Sequence, residues 1–245
     1  VQTRPFRSPH PSTSTAGLVG GGPIPRPGEV TLAHAGILFL DEFPEFRRDA
    51  LEALRQPLEE GVITIVRAKA RLTFPARFTL LAAMNPCPCG HLGDPRHECE
   101  CSPPVVIRYR QKVSGPLLDR IDLHVEVPAV KLRDLEGQTG EPTRAVAERI
   151  ETARQRQRLR ATLAGRPIWN ADMTPGQIGE HCRLESSAQR LLDSAFDKLG
   201  LSARAVHRVL KVARTLADLS GSVDVQASHV GEAIQYRSFD RRIEN

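Results

Sequence analysis

Apolar and polar positions follow one pattern in the first half of the chain and another in the second. Short apolar runs at residues 37–40, 78–84 and 121–127 each end in polar or proline-containing sequence, which is typical of buried strands in a parallel sheet. From Thr143 onward, apolar residues recur at helical spacing, and this predicts helices, beginning with a long one over 143–163. The pattern therefore predicts an α/β region followed by an all-α region.

Capping signals and apolar stripes predict where individual helices begin and end. Residues 47–58 carry leucines on one stripe, and Gly61 is expected to end that helix. Ser186 is the expected cap of a helix that ends at Gly200. Further helices are predicted at residues 29–34, 105–114, 175–182, 202–219 and 225–236.

The change of pattern divides the chain into two predicted domains. Residues 1–130 are predicted to form an α/β core, a parallel sheet with helices and hairpin insertions, and residues 143–245 an all-α helical domain. Between them, residues 131–142 are charged and contain glycine and proline, as linkers commonly do. A chain of 245 residues is long enough for two such domains.

Composition narrows the class of protein and locates its charge. Hydrophobic residues make up 40% of the chain and charged residues 26%, as in ordinary globular proteins. Because no apolar run approaches transmembrane length and no signal-peptide pattern is present, we expect a cytoplasmic protein with no membrane partner. The net charge is +5, and the arginine-rich segment 144–166 holds the excess of positive charge.

Two adjacent carboxylates close the first apolar run. Asp41 and Glu42 follow Leu40 directly, and Phe43-Pro44 ends the run. In open α/β sheets, ligands bind beyond the carboxyl ends of the strands. An aspartate there can hold Mg²⁺, and a neighbouring glutamate can orient or deprotonate a water that attacks a γ-phosphate. Since these 245 residues contain no G-x-x-x-x-G-K-[ST] loop, they hold the water-activating half of an NTPase site without the phosphate-binding half.

Four of the five cysteines lie within fifteen positions, as two C-x-C pairs separated by nine residues. The four are Cys87, Cys89, Cys99 and Cys101. Four thiolates can close a tetrahedral, structural zinc site, and without a secretory signal the cluster favours metal over disulfides. His91 and His97 are alternative ligands, and free buried thiols or disulfides are the alternatives to a metal. Cys182, which is alone on a predicted helix, is expected to be a small buried hydrophobe.

Basic residues lie on a predicted β-hairpin and on the long helix. Residues 62–66 and 71–74 read as the two strands of the hairpin. Its three cations are Arg67, Lys69 and Arg71. They suit the phosphate backbone of DNA, bound by non-specific electrostatics, whereas the alternative is a solvated edge hairpin guarded by charge. The arginines at alternate positions of 154–160 spread around a helix, so they support nucleic-acid binding only weakly.

Six motifs, in order along the chain, carry a family resemblance. They are R-P-F-R-S-P-H at 4–10, G-G-G with R-P-G-E at 20–29, L-F-L-D-E at 38–42, L-E-A-L-R-Q-P-L-E at 51–59, A-A-M-N-P at 82–86, and S-G-P-L-L-D-R-I-D at 114–122. Together they resemble a AAA+ ATPase of the magnesium-chelatase-like branch, of the ComM-type (competence/YifB) family. The resemblance covers essentially the whole chain, and it implies a partial AAA+ core followed by a helical lid domain.

The resemblance implies roles for five residues. Asp41 and Glu42 would form the Walker B pair, with Asp41 acting on Mg²⁺ and Glu42 on the attacking water. Asn85 would be sensor 1, whose amide helps to position that water. Arg120 would be an arginine finger acting on the nucleotide of a neighbouring subunit, and Arg204 would be sensor 2 at the start of a lid helix. Surface ion pairing with Asp119 or Asp122 is the alternative for Arg120, and a solvated basic stripe is the alternative for Arg204.

The resemblance also implies a function. It implies ATP hydrolysis with ATP and Mg²⁺ as cofactors, a homo-hexamer, and DNA as a partner that is remodelled, for example by branch migration. The family's Walker A loop and an N-terminal Lon-like domain would precede residue 1, so this chain alone is expected to bind ATP poorly and hydrolyse little. The alternatives are the ATPase subunit of a magnesium chelatase and a non-catalytic interaction fragment.

Overall fold

The chain divides into two compact units, residues 1–121 and residues 122–245. The structure is a computed structural model, and it describes residues 3–22, 24–67, 70–128, 140–161 and 169–237, with residues 67, 70 and 161 described by their backbone alone. The linker expected at 131–142 therefore lies mostly outside the described residues. Within the described ranges, no helix combines the length and the apolar character that crossing a membrane requires.

The first unit is a small α/β domain. In chain order its elements are β1 Phe6–Arg7, α1 Thr15–Val19, β2 Gly20–Gly21, β3 Arg26–Pro27, α2 Glu29–Leu32, β4 Ile37–Leu40, α3 Arg48–Ala53, α4 Arg55–Glu60, β5 Val62–Arg67, β6 Ala70–Pro75, β7 Thr79–Ala82, α5 Pro103–Arg110 and α6 Gly115–Leu118, with a 3₁₀ turn at Phe43–Glu45.

A three-stranded parallel sheet lies at the centre of this unit, and it confirms the predicted α/β class. Its strand order is β1-β4-β7, and the register pairs Leu38 with Leu80 and Leu40 with Ala82. Leu38 and Leu40 are fully buried in the unit's apolar core. Because β4 is the middle strand, the residues that follow Leu40 emerge at the centre of the sheet's carboxyl edge.

The third predicted strand, over residues 121–127, is wrong. Residues 121–128 form no strand, and Val125 and Val127 are 62% and 84% exposed. Alternating apolar residues form a strand only when a neighbouring strand supplies hydrogen bonds and packing. Here the N–H of His124 instead donates to the carbonyl of Tyr236 at 2.7 Å.

The predicted helix over 47–58 is two helices, α3 and α4, which divide at Leu54. The break places Pro57 in the first turn of α4, where its missing N–H leaves no helical hydrogen bond unmade. Gly61 ends α4 as expected, in a left-handed conformation with φ 67°. Its N–H donates to the carbonyl of Pro57 at 3.0 Å. Gly61 therefore predicted the end of the helix correctly. The break at Leu54 was not predicted, because the stripe of leucines continues across it.

The second unit is helical, as predicted. Its helices are α7 Thr143–Ala161, α8 Pro175–His181, α9 Ser186–Leu199, α10 Ala203–Ser220 and α11 Ala227–Gln235, with a 3₁₀ turn at Asn170–Asp172. The apolar face of α10 is fully buried at Val209 and Ala213. Ser202 caps α10 through its Oγ, which accepts from the N–H of Ala205 at 3.1 Å.

The start of α9 corrects one capping prediction. Glu185, not Ser186, is the N-cap, and its side chain makes no capping hydrogen bond. The N–H of Glu185 donates to the carbonyl of Val225 at 3.1 Å, beside an isolated bridge between Leu184 and Val225. That bridge holds residue 185 in an extended conformation, so Glu185 takes the cap position and the helix begins at Ser186, one residue earlier than a cap at Ser186 would place it. Gly200 ends α9 in the left-handed conformation, as expected.

Candidate functional site

The carboxyl edge of the sheet brings together Asp41, Glu42 and Asn85. The first two follow β4 directly, and Asn85 lies three residues beyond β7. The segments after the two strands remain side by side, because the N–H of Phe43 donates to the carbonyl of Ala83 at 2.9 Å. All three polar residues are exposed. The edge therefore presents two carboxylates and one amide to a ligand, in the place where parallel α/β sheets bind theirs.

Glu42 has an unusual backbone. Its φ of 50° and ψ of 43° lie in the left-handed region, and its N–H donates to Asp41 Oδ1 at 2.9 Å. A residue with a side chain costs about 1–2 kcal/mol in this conformation. The neighbouring Phe43 and Pro44 are buried, so the core holds the turn in place against that cost. Retained strain of this kind clusters at functional sites.

Helix α5 supports the segment that contains Asn85. Tyr109 is 6% exposed, and its hydroxyl is hydrogen-bonded to the backbone of Asn85. Burial, followed by the charge of Glu45, raises the pKa of Tyr109 above its ordinary value. Arg110 Nε donates to the carbonyl of Pro86 at 3.3 Å. Sequence reasoning missed both supporting residues, and their only signal was their place on a helix that follows the cysteine cluster.

Arg120 is paired within its own unit. Its Nε donates to Glu59 Oε2 at 3.0 Å and its Nη1 to the carbonyl of Pro116 at 2.6 Å. The side chain of Arg120 is only 8% exposed, whereas that of Glu59 is 45% exposed. The sequence suggested Asp119 or Asp122 as surface partners. The structure pairs Arg120 with Glu59 of α4, a residue 61 positions away.

Arg204 belongs to the second unit. It is exposed in the first turn of α10, just after the Ser202 cap. Its neighbours on the same helix are engaged in that unit: Arg208 pairs with Asp122, and Lys211 donates to the carbonyl of Ala171 at 2.8 Å. Burial lowers the pKa of Lys211 from its ordinary value. Arg208 and Lys211 on the basic face of α10 thus have partners within the second unit, and Arg204 lies at the exposed N-terminal end of the same face.

The arginine run of α7 serves its own domain. Arg160 makes two hydrogen bonds to Asp218, at 2.6 and 2.5 Å, and Arg156 donates to the backbone carbonyl of the same residue. Arg158 pairs with Glu151, and Arg154 lies over the ring of Trp169. These contacts give all four arginines of the run a partner within the second unit.

The predicted hairpin is confirmed. Strands β5 and β6 pair antiparallel, with Val66 opposite Arg71. Arg71 is exposed, while Lys69 and the side chain of Arg67 lie outside the described residues. The basic hairpin is thus present as a structure, and its contact with DNA stays a prediction.

The four clustered cysteines converge in space. The Sγ atoms of Cys87, Cys89 and Cys99 are separated by 3.3, 3.6 and 3.7 Å, and the four ligand atoms, with that of Cys101, all lie within 4.8 Å of one another. None of these thiols forms a disulfide. A hydrogen bond from the backbone of His91, followed by the Cys87 thiol, lowers the pKa of Cys89 to about 6. The cluster could hold a metal ion.

The two alternative histidine ligands lie elsewhere. His91 and His97 pack ring to ring at 5.0 Å and gather around Asp94, whose Oδ2 is 3.2 Å from His97 Nδ1. These three residues form a group separate from the cysteines. The structure therefore brings together the four sulfurs and leaves both imidazoles outside them.

Comparison with known families matches both halves of the chain. The family model described as "Magnesium chelatase, subunit ChlI" matches residues 1–135, and the one described as "Magnesium chelatase, subunit ChlI C-terminal" matches residues 140–237. The parallel sheet followed by a helical region agrees with a partial AAA+ fold of this kind. The chain belongs to the magnesium chelatase family.

Within that family, its relatives are of the ComM and YifB type. It is 47% identical to the "Competence protein ComM" of Haemophilus influenzae over 243 residues, covering 98% of this chain and 46% of the relative. It is 46% identical to the "Uncharacterized protein YifB" of Escherichia coli over 240 residues, covering 97% of this chain and 46% of the relative. A shorter match, 31% over 96 residues, covers 39% of this chain and 10% of the "DNA replication licensing factor Mcm6" of Drosophila melanogaster. The chain thus spans about half the length of the curated ComM and YifB relatives.

Proposed function

We propose that the protein containing this chain is a AAA+ ATPase, and that Asp41, Glu42 and Asn85 act together on its nucleotide. The observation that carries the proposal is their position: two carboxylates and an amide at one sheet edge, with Glu42 fixed in a left-handed turn. Membership of the magnesium chelatase family supports the assignment.

The donor set fits a magnesium nucleotide. Carboxylate oxygens are preferred ligands of Mg²⁺, which is commonly held by one or two carboxylates and substrate phosphates. Asp41 would bind the ion, which neutralises charge on the β- and γ-phosphates. Glu42 would orient the attacking water and accept its proton, and the uncharged Asn85 would hold the same water without competing for the cation.

Two arginines that are not part of this sheet edge, Arg120 and Arg204, would complete the site. Arg120 would leave Glu59 and reach the γ-phosphate bound by a neighbouring subunit, a contribution worth about 10³–10⁵ in rate in related enzymes. Arg204 would contact the nucleotide from the helical domain. Both roles require assembly, and we propose a homo-hexamer.

We further propose that ATP hydrolysis drives DNA remodelling, such as branch migration. Two observations support DNA as the partner: one relative is named a competence protein, and a shorter match is named a DNA replication licensing factor. Arg67, Lys69 and Arg71 on the hairpin would contact phosphates. Such contacts weaken steeply with salt, because binding releases condensed counterions.

The test is Glu42→Gln in the full-length protein. The variant should bind ATP and assemble, yet lose about 10²–10⁴-fold of its turnover, because the amide accepts no proton from water. Glu45→Gln is the matched control, since Glu45 lies in the same turn but pairs with Lys112 at 2.9 Å. Normal turnover by Glu42→Gln would remove Glu42 from the proposed role.

The second candidate is an ATPase subunit of a magnesium chelatase, which the descriptions of both matching family models favour. Forked DNA separates the two candidates. We expect it to stimulate hydrolysis by the full-length protein at low salt and to lose that effect as salt rises. No DNA binding at low salt would favour the chelatase role.

A further inference from the structure

The spacing of the four cysteine sulfurs fits a tetrahedral metal site. Four sulfurs at 2.3 Å from one tetrahedral Zn²⁺ are about 3.8 Å from each other. The three measured Sγ–Sγ separations are 3.3, 3.6 and 3.7 Å, and the whole set lies within 4.8 Å. A disulfide would bring one pair to about 2.0 Å and part it from the rest. Three sulfurs at nearly equal separations, with the fourth close by, point instead to one central ion.

The backbone around the sulfurs is shaped to donate hydrogen bonds to them. Gly90 has a φ of 83° and its N–H donates to the carbonyl of Cys87 at 3.0 Å, which turns the chain sharply after the first pair. A residue without Cβ adopts this conformation readily. The backbone groups of His91 and Glu100 hydrogen-bond to the sulfur of Cys89, and that of Cys101 to the sulfur of Cys99. Outer hydrogen bonds of this kind orient and stabilise metal ligands.

We propose that Cys87, Cys89, Cys99 and Cys101 bind one Zn²⁺ in a closed, structural centre. A tetrahedral site of four thiolates is characteristic of zinc or of iron–sulfur chemistry, and zinc is the common structural ion. Four protein ligands leave no open position for a substrate. The imidazoles of His91 and His97 are outside the centre, since they gather around Asp94.

The position of the centre gives it a structural purpose. Cys87 is fully buried and lies two residues after Asn85, whereas Cys101 lies two residues before α5. One ion would therefore tie the end of the β7 segment to the start of the helix whose Tyr109 and Arg110 hold Asn85 and Pro86. The segment between the two cysteine pairs contains no helix or strand. A bound ion would therefore stabilise this segment in place of the packing that regular secondary structure provides.

Metal content of the full-length protein, purified without chelators, tests the proposal directly. We expect about one Zn²⁺ per chain. Loss of a group that hydrogen-bonds to a metal ligand lowers metal affinity by about 10–100-fold. Because Cys87→Ser and Cys99→Ser each remove a ligand itself, we expect each to lower the zinc affinity at least as much. Two matched controls should keep the zinc: Cys182→Ser, which removes a cysteine buried in the other unit, and the double variant His91→Ala/His97→Ala.

Cobalt substitution tests the ligand set even if a cysteine variant fails to fold. Unaltered protein loaded with Co²⁺ should show the intense thiolate charge-transfer bands and tetrahedral d–d bands of a four-sulfur site, and the double histidine variant should show the same spectrum. A changed spectrum in the histidine variant would overturn the ligand set. Iron at one per chain, four free thiols without metal, or a mass lowered by four hydrogens from two disulfides would each overturn the zinc centre. None of these readouts depends on ATP turnover.

Discussion

Each of the two units contains a prominent set of carboxylate groups, and the two sets lie in opposite environments. In the first unit the central strand is apolar, and the carboxylates of Asp41 and Glu42 are exposed at its end. In the second unit Asp218 is fully buried and Arg214 is 3% exposed. Asp218 accepts from Arg160 at 2.6 and 2.5 Å and from Asn170 at 2.8 Å.

The difference indicates which charges are available for function. A buried carboxylate surrounded by donors is already satisfied, and removing one partner of such a set leaves an uncompensated charge. In the exposed pair at the strand end, Asp41 accepts one backbone hydrogen bond and both residues are exposed, so the pair can take a ligand. Arginine density in the sequence pointed to α7 in the second unit, whereas the exposed carboxylate pair that can take a cation lies in the first.

Asp218→Ala should have the largest effect. It leaves the buried Arg214 and the mostly buried Arg160 without their carboxylate, and we expect the free energy of unfolding of the second unit to fall by about 3–5 kcal/mol. Trp169, the only tryptophan of the chain, lies in this unit, so urea denaturation followed by its fluorescence measures the loss.

Asp197→Ala is the control for that measurement, since Asp197 is exposed on α9. It should change the free energy of unfolding by no more than about 0.5 kcal/mol. If the two variants behaved alike, the buried network would not stabilise the second unit, and the comparison between the units would fail.

Leu38→Ala tests the other side of the comparison. Leu38 is fully buried in the middle strand, and its truncation should cost the first unit about 2–5 kcal/mol by leaving a cavity. Hydrogen exchange of the β4 and β7 amides measures the loss. Leu32→Ala, at a leucine 46% exposed on α2, should cost far less. Equal effects would mean that the first unit is not organised around its apolar strand.

Local signals in the sequence were sufficient where a structure depends on nearby residues. The apolar run before Asp41, the hairpin strands, and the glycine stops at Gly61 and Gly200 all appear as predicted. Each depends on backbone preference or periodicity within a few residues. The parallel sheet and the helical second unit followed from the same periodicities.

Features that depend on distant partners could not be predicted in this way. The run over 121–127 is not a strand, because alternation does not supply a neighbouring strand. The partner of Arg120 is Glu59, which no local pattern indicates. The inward contacts of Arg160 depend on Asp218, 58 positions away. The convergence of the four sulfurs was the exception, since close spacing in the sequence already restricted them to one small volume.

Glu42→Gly should have the smallest effect on stability, and it separates a catalytic role of Glu42 from a structural one. Glu42 is exposed, so its removal loses little packing, and glycine relieves a left-handed backbone that costs a side chain about 1–2 kcal/mol. Glycine also gives the unfolded chain more freedom, which offsets about 0.5–1 kcal/mol. The free energy of unfolding should therefore rise by up to about 1 kcal/mol, while ATP turnover of the full-length protein should be lost.

Ala35→Gly is the matched control for Glu42→Gly. Ala35 is exposed and left-handed, with φ 60°, and lies at the other end of β4. It should gain similar stability in urea denaturation and keep its turnover, because it carries no group that acts on the nucleotide. If Glu42→Gly instead destabilised the chain while Ala35→Gly stabilised it, the Glu42 side chain would be a structural partner. The exposed carboxylates of the first unit would then resemble the satisfied charges of the second.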